Sequence, residues 1–272
     1  MDRTILRGER VPSIGLGTWG LSGRTCRLAV YRALEMGYRH IDTARKYGNE
    51  RRIGEALAAS SVDRDEVFVT TKVWGRNATH EGVHESARES LDRLGVEYVD
   101  LLLLHWPNPR VPIEESMLAL AELRDEGIAR HIGVSNFGPS RLRRARRASD
   151  APLFANQAPF HPYKPQTELV EQCRRREMVL IAYSPLSHGG VSHDPVLRII
   201  GERYDKTPAQ VALRWVIQHD GVVAIPRATS PIHQRENLDV FDFELTDDEM
   251  DRIRRPSRLR TAFGWVRGRL QR

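Results

Sequence analysis

The chain has little cysteine, little lysine and no long apolar run. Its 272 residues contain two cysteines, Cys26 and Cys173, far apart and in no CxxC or CxxH pair. That excludes a disulfide framework and a cysteine-type zinc site, and fits a reducing compartment. No stretch of about 18 apolar residues occurs, and the opening MDRTILRGERVPS has no apolar h-region. The expectation is a soluble, cytoplasmic protein without membrane contact. Lysine appears four times (Lys46, Lys72, Lys164, Lys206), so the other 38 basic residues are arginine, with a net charge of +6. Arginine runs such as RLRRARR (141–147) and RRR (174–176) carry no interleaved aromatics and no nucleic-acid-binding pattern. They read as solvated helix faces, and no nucleic-acid partner is expected. Scarce lysine makes each lysine worth locating.

What is present is an alternation of short apolar runs with amphipathic stretches. The runs are SIGLGT (13–18), HIDTA (40–44), VFVTTKV (67–73), VDLLLLH (99–105), HIGVSN (131–136), LFANQA (153–158), VLIAYSP (179–185) and VVAIP (222–226). Each is followed by a helical segment. Near-continuous apolar strands imply burial on both faces, as in a parallel sheet. Eight such units in this length match a (β/α)8 TIM barrel of one domain, residues 1–272. An open dinucleotide-binding sheet would want a GxGxxG turn, and GLGTWG lacks that spacing. TILRGERV reads as a small hairpin turning at Arg7-Gly8-Glu9 and closing the barrel bottom. The first helix should bury Leu28, Ala29, Ala33, Leu34 and Met36, and the second Ile53, Ala56 and Leu57. Asn49 and Ser230 are expected N-caps, the latter before Pro231. DDEMDRIRR should form a last helix, before an irregular arginine-rich tail.

Active groups of such barrels sit at the C-terminal ends of several strands. That rim receives Asp42 and Tyr47 after the second strand, Lys72 near the end of the third, and His105 at the end of the fourth. Taken singly, Asp42 could cap a loop, Lys72 could snorkel and His105 could be a satisfied rim histidine. Together they make a site. A buried Lys72 needs a carboxylate, and Asp42 is placed to supply it. An ammonium beside Tyr47 should lower the phenol's pKa toward the range of a general acid. His105 is expected to bond a substrate oxygen or share the proton. No His, Cys or Asp cluster shows ligand spacing, so chemistry without a metal is expected.

The motifs HIDTAxxYGNE, TTKVW, LLHWP, IGVSNF, NQ followed by HPY, AYSPL, and IPRATSP with REN behind it resemble the aldo-keto reductases over nearly the whole chain. The resemblance implies the (β/α)8 barrel and an Asp-Tyr-Lys-His tetrad at Asp42, Tyr47, Lys72 and His105. It implies reduction of an aldehyde or ketone with NADPH as hydride donor and the tyrosine as acid. It places Ser135, Asn136 and Gln157 at the nicotinamide carboxamide and Tyr183 against the ring. Ser184 and Leu186 fall at the pyrophosphate, and Thr18 and Trp19 flank the nicotinamide end. Around the 2′-phosphate the family usually has a lysine, a serine and, six residues after the lysine, an arginine. This chain has Arg227, Ala228 and His233, with Thr229 in the same segment, so NADH use beside NADPH is expected. Glu236 and Asn237 match the adenine contacts.

Trp19, Trp74 and Trp106 follow three strands at one rim and are expected to line an apolar substrate mouth. The loop SHGGVSHD (187–194) and the tail, with Phe263 and Trp265, are short, as in the compact bacterial branch that resembles diketogluconate and methylglyoxal reductases. A small carbonyl compound is the expected partner, with a monomer or weak oligomer as the form. A nucleotide-sensing regulatory subunit on the same fold is the alternative, separated from the enzyme by turnover with a simple aldehyde.

Overall fold

The computed structural model describes residues 3–6 and 8–254; the tail from residue 255, with Phe263 and Trp265, lies outside them. Strands β1 (Arg3–Leu6) and β2 (Glu9–Pro12) form the expected antiparallel hairpin, pairing Leu6 with Glu9. Eight parallel strands follow: β3 (Leu16–Gly17), β4 (His40–Asp42), β5 (Phe68–Val73), β6 (Val99–Leu104), β7 (Ala129–Ser135), β8 (Leu153–Pro159), β9 (Val179–Tyr183) and β10 (Val222–Ile225). They pair in chain order from β3 to β10. Ile14 then bridges Ala224 in parallel, and the Gly15 N–H donates to the Ala224 carbonyl at 2.8 Å, which closes the ring. The seam is tight: a methyl on Gly17 would lie 2.6 Å from the Ile225 carbonyl oxygen. The fold is the expected (β/α)8 barrel, and each of the eight runs supplies one strand.

Outside the strands lie α1 (Gly23–Glu35), α2 (Glu50–Ala59), α3 (His80–Leu94), α4 (Ile113–Asp125), α5 (Pro139–Arg147) and α6 (Thr167–Arg174). A pair, α7 (Pro195–Tyr204) and α8 (Pro208–Ile217), follows β9, and α9 (Pro231–Leu238) follows β10. The final described helix is α10 (Asp247–Arg254). No described helix is long and apolar enough to cross a membrane.

Strand alternation divides the core. Along β6, Leu101 and Leu103 face the barrel interior with Phe68, Phe154, Val179, Ile181 and Val223, while Leu102 and Leu104 face the helices. Val11 of β2 joins the interior group, so the hairpin plugs the bottom. Lys72 pairs with Leu103, and Gln157 with Ile181. Both positions therefore share the inward face, at the upper end. Charges buried between strands and helices are partnered, as burial demands. Glu50 accepts from the Thr71 hydroxyl at 2.6 Å and from Arg93 at 2.7 Å, and Asp100 accepts from the Val69 N–H and pairs with Arg64 at 2.9 Å.

Three local expectations are corrected. The buried face of α1 is Cys26, Ala29, Val30, Ala33 and Leu34, with Leu28 and Met36 half-buried at its margins, because the stripe is centred on the 26, 29, 30 and 33 positions of the helical repeat. Asn49 occupies the N-cap position of α2, but its side chain leaves the helix. It donates to the carbonyls of Thr18 and Leu21 at 2.9 and 3.1 Å and accepts from the Thr43 hydroxyl at 2.8 Å, stitching two rim loops together. Ser230 precedes Pro231 at the start of α9 without a side-chain cap bond.

Candidate active site

β4 and β5 run side by side, and register places Asp42 opposite Thr70, two residues before Lys72. Lys72 is completely buried, and its ammonium donates to Asp42 Oδ1 at 2.6 Å and to the Thr43 carbonyl at 2.7 Å. The short 3-10 turn Arg45–Tyr47, ended by Gly48 in the left-handed region, returns Tyr47 over this pair. Lys72 Nζ lies 5.2 Å from the centre of the Tyr47 ring. From the end of β6, His105 meets Tyr47 edge to face, with ring centres 5.7 Å apart. The four residues expected at the rim are thus brought together.

Electrostatics corrects one expectation. Burial raises the pKa of Tyr47 and outweighs the opposing pull of Lys72, so the phenol stays above its usual range instead of below it. Lys72 is also raised: burial works against its charge, but Asp42 and Tyr47 more than offset that. Burial raises Asp42 too, against Lys72 and the Gln157 amide. His105 is pushed down to about 3 by burial and by the charges of Lys72 and Lys46. Its imidazole is therefore neutral, and its buried Nδ1 has no partner among the described residues. A neutral phenol over a fixed ammonium, beside a neutral imidazole, is a proton donor whose anion would have a counter-charge waiting.

A model of the aldo/keto reductase family matches residues 13–257. The chain belongs to the aldo/keto reductase family. Membership makes it an oxidoreductase of the carbonyl-reducing kind. An aldo-keto reductase of Mycolicibacterium smegmatis is 40% identical over 251 residues, covering 92% of this chain and 91% of that one. A methylglyoxal reductase of Escherichia coli is 39% identical over 249 residues, covering 90% of each chain. A crystal structure provisionally named as a 2,5-diketo-D-gluconic acid reductase B superposes with a TM-score of 0.91 at 43% identity, covering 94% of this chain and 93% of that one.

In this aldo/keto reductase the loops after β3, β9 and β10 converge above the barrel. Trp19 is half exposed, its ring centre 6.2 Å from that of His188, and its carbonyl lies 3.5 Å from Arg227 Nη1. Trp106 is half exposed on the same rim. Trp74 is less open: Lys46 and Arg76 stand 4.9 and 4.5 Å from its ring centre. Thr18 is buried, its hydroxyl committed to the Asp42 carbonyl at 2.9 Å. Asn136, in the left-handed region, donates to the His105 carbonyl and to Ser135 Oγ, both at 3.0 Å, and accepts from the Tyr183 hydroxyl at 2.8 Å. Ser184 is also left-handed and Leu186 half-buried. Beyond β10, Arg227, Thr229 and His233 are exposed, Glu236 is half-buried and Ala228 is buried. Asn237 is buried beside the Tyr38 hydroxyl, which donates to the Gln234 carbonyl at 2.9 Å.

Two features escaped the sequence reading. Gln157 donates to Asp42 Oδ2 at 2.6 Å, so both oxygens of the buried carboxylate are held. Nothing local in sequence announces it, because 115 residues separate the two. The second is a correction to the expected lack of ligand spacing. His80 and His84 stand one turn apart on α3, and Glu122 of α4 reaches both. The legible signal is HEGVH (80–84), the H-E-x-x-H spacing.

Proposed function

We propose that the protein reduces the carbonyl group of small aldehydes and ketones to the alcohol, with NADPH preferred and NADH also accepted. Small dicarbonyls, keto sugars and keto acids are the substrate class, in keeping with the relatives named for methylglyoxal and diketogluconic acid. The observation that carries this reading is the buried Lys72 ammonium, fixed 2.6 Å from Asp42 beneath the Tyr47 ring. NADPH, when bound, supplies the hydride for the carbonyl carbon. Tyr47 gives its proton to the carbonyl oxygen. Burial keeps the phenol protonated until then, and Lys72 stabilises the phenolate once the proton has left. Asp42, held by Lys72 and Gln157, keeps the ammonium in place. Neutral His105 offers the substrate oxygen a hydrogen bond.

The donors and acceptors around Asn136 fit a carboxamide. Ser135 keeps a hydroxyl proton, Gln157 keeps its carbonyl oxygen, and Asn136 Oδ1 accepts one bond and has room for a second. Ser135, Asn136 and Gln157 would hold the nicotinamide amide, with Tyr183, Thr18 and Trp19 about the ring. Ser184 and Leu186 would lie along the pyrophosphate. Arg227, Ala228, Thr229 and His233 would surround the 2′-phosphate, and Glu236 and Asn237 the adenine.

The test is NADPH oxidation against 4-nitrobenzaldehyde, methylglyoxal and a keto-sugar acid, by the parent and by Tyr47→Phe. The expected result is turnover by the parent and a fall in kcat of at least about 100-fold in the variant, with cofactor affinity little changed. Near-normal turnover by Tyr47→Phe would remove the tyrosine from the mechanism. A parent that binds NADPH but reduces none of the three would leave the nucleotide-sensing role.

A further inference from the structure

We propose that His80, His84 and Glu122 form a binding site for a divalent transition-metal ion of the zinc class, on the barrel flank between α3 and α4. Each residue offers one ligand atom, and the three atoms lie within 4.8 Å of one another. His80 Nε2 is 2.7 Å and His84 Nε2 2.8 Å from the same Glu122 oxygen, and the imidazole centres are 4.9 Å apart. Spacing of i and i+4 puts both rings on one helix face, and the packing of α3 against α4 brings the carboxylate.

Ligand distances to zinc of about 2.0–2.2 Å place tetrahedral donors roughly 3.4 Å apart. The two nitrogen–oxygen separations would open toward that value and the two nitrogens, within 4.8 Å of each other, would settle to it; the side chains of His80 and Glu122 are 44% and 41% exposed, free to move. Two imidazoles and one carboxylate suit zinc, cobalt or nickel over magnesium or calcium, and they leave a fourth position for water. Glu126 Oε1 stands 3.9 Å from His84 Nδ1, the side from which a carboxylate orients a ligating histidine. Arg88 anchors Glu126 at 3.0 Å. The ion would clamp the start of α3 to the far half of α4. None of these residues belongs to the tetrad or its cofactor neighbours.

Full-length protein stripped with a chelator and titrated with Co2+ should take up one equivalent. It should develop the visible absorption of a four-coordinate site, displaced by Zn2+, and Zn2+ should raise the melting temperature. Losing even an outer-shell partner costs about 10- to 100-fold in metal affinity. His84→Ala and Glu122→Gln should therefore each bind at least about ten-fold more weakly while keeping the parent's carbonyl reductase activity. The isosteric Glu122→Gln guards against a loss that merely reflects misfolding. Absence of saturable one-equivalent binding, or equal Co2+ affinity in the parent and both variants, would overturn the site.

Discussion

At the scale of single residues, the pair Asp42–Lys72 is the costliest element of the site to disturb. Neither charge reaches solvent, and the two are joined at 2.6 Å. Lys72→Met keeps the stem but removes the ammonium that would stabilise the Tyr47 phenolate, so kcat should collapse. It also leaves a buried carboxylate uncompensated, a defect that typically costs about 3–5 kcal/mol. Burial already raises Asp42, and without Lys72 the carboxyl should take up a proton more readily still. The stability loss, read as a urea midpoint, should be large near pH 8 and smaller near pH 5. A variant as stable as the parent at pH 8 would mean that the pair does little for folding. An ammonium nearby lowers a phenol's pKa only by as much as burial allows, and at Tyr47 burial prevails.

At the scale of elements, the proposed function assigns cofactor choice to α9 and the segment leading into it. The start of α9 presents backbone N–H groups, and the Ser230 side chain caps none of them, an arrangement suited to phosphate. Arg227 stands there in place of the family's usual lysine, and His233, exposed, in place of the usual arginine; Ala228 is buried, and Arg235 on α9 is a second fixed cation close enough in sequence to compensate in part. A charge-assisted bond to phosphate is worth about 1.5–3 kcal/mol, or roughly ten- to a hundred-fold in affinity. NADPH should therefore bind more tightly than NADH, by a narrower margin than a lysine–arginine pair would give. His233→Arg should widen the Kd ratio at every pH. A ratio unchanged by His233→Arg would place His233 away from the phosphate, and a clear NADH preference would do the same for Arg227.

At the scale of the whole molecule, buried histidines govern the acid limit. Burial, aided by Lys72, pushes His40 down to about 3; burial with Lys72 and Lys46 does the same to His105; and burial with Lys164 and His188 takes His161 to about 4. In the unfolded chain each would titrate near 6.5. Below that pH the unfolded state binds more protons, so stability is full above about 6.5 and declines until the folded values near 3–4 are reached. Asp42, raised by burial, acts in the opposite sense, but it is one group against three. The urea midpoint should accordingly be lower at pH 5 than at pH 7.5. A midpoint that is flat or rises on acidification would show that these imidazoles are not held neutral.

Much of this architecture is legible along the chain, because strand and helix periods are local properties. The eight apolar runs, their helices, the hairpin and the placing of Asp42, Tyr47, Lys72 and His105 at strand ends all follow from patterns a few residues long. The motifs also carried the family. Tertiary structure alone decided how much each group is dehydrated, and that reversed the expected direction for Tyr47. It alone joined positions distant in sequence: Gln157 to Asp42, Asn49 to the loop after β3, and Glu122 to the histidines of HEGVH. Periodicity determines which face of a strand or helix a side chain occupies. Its partner and its distance from water depend on the closure of the barrel, which no short stretch of the chain encodes.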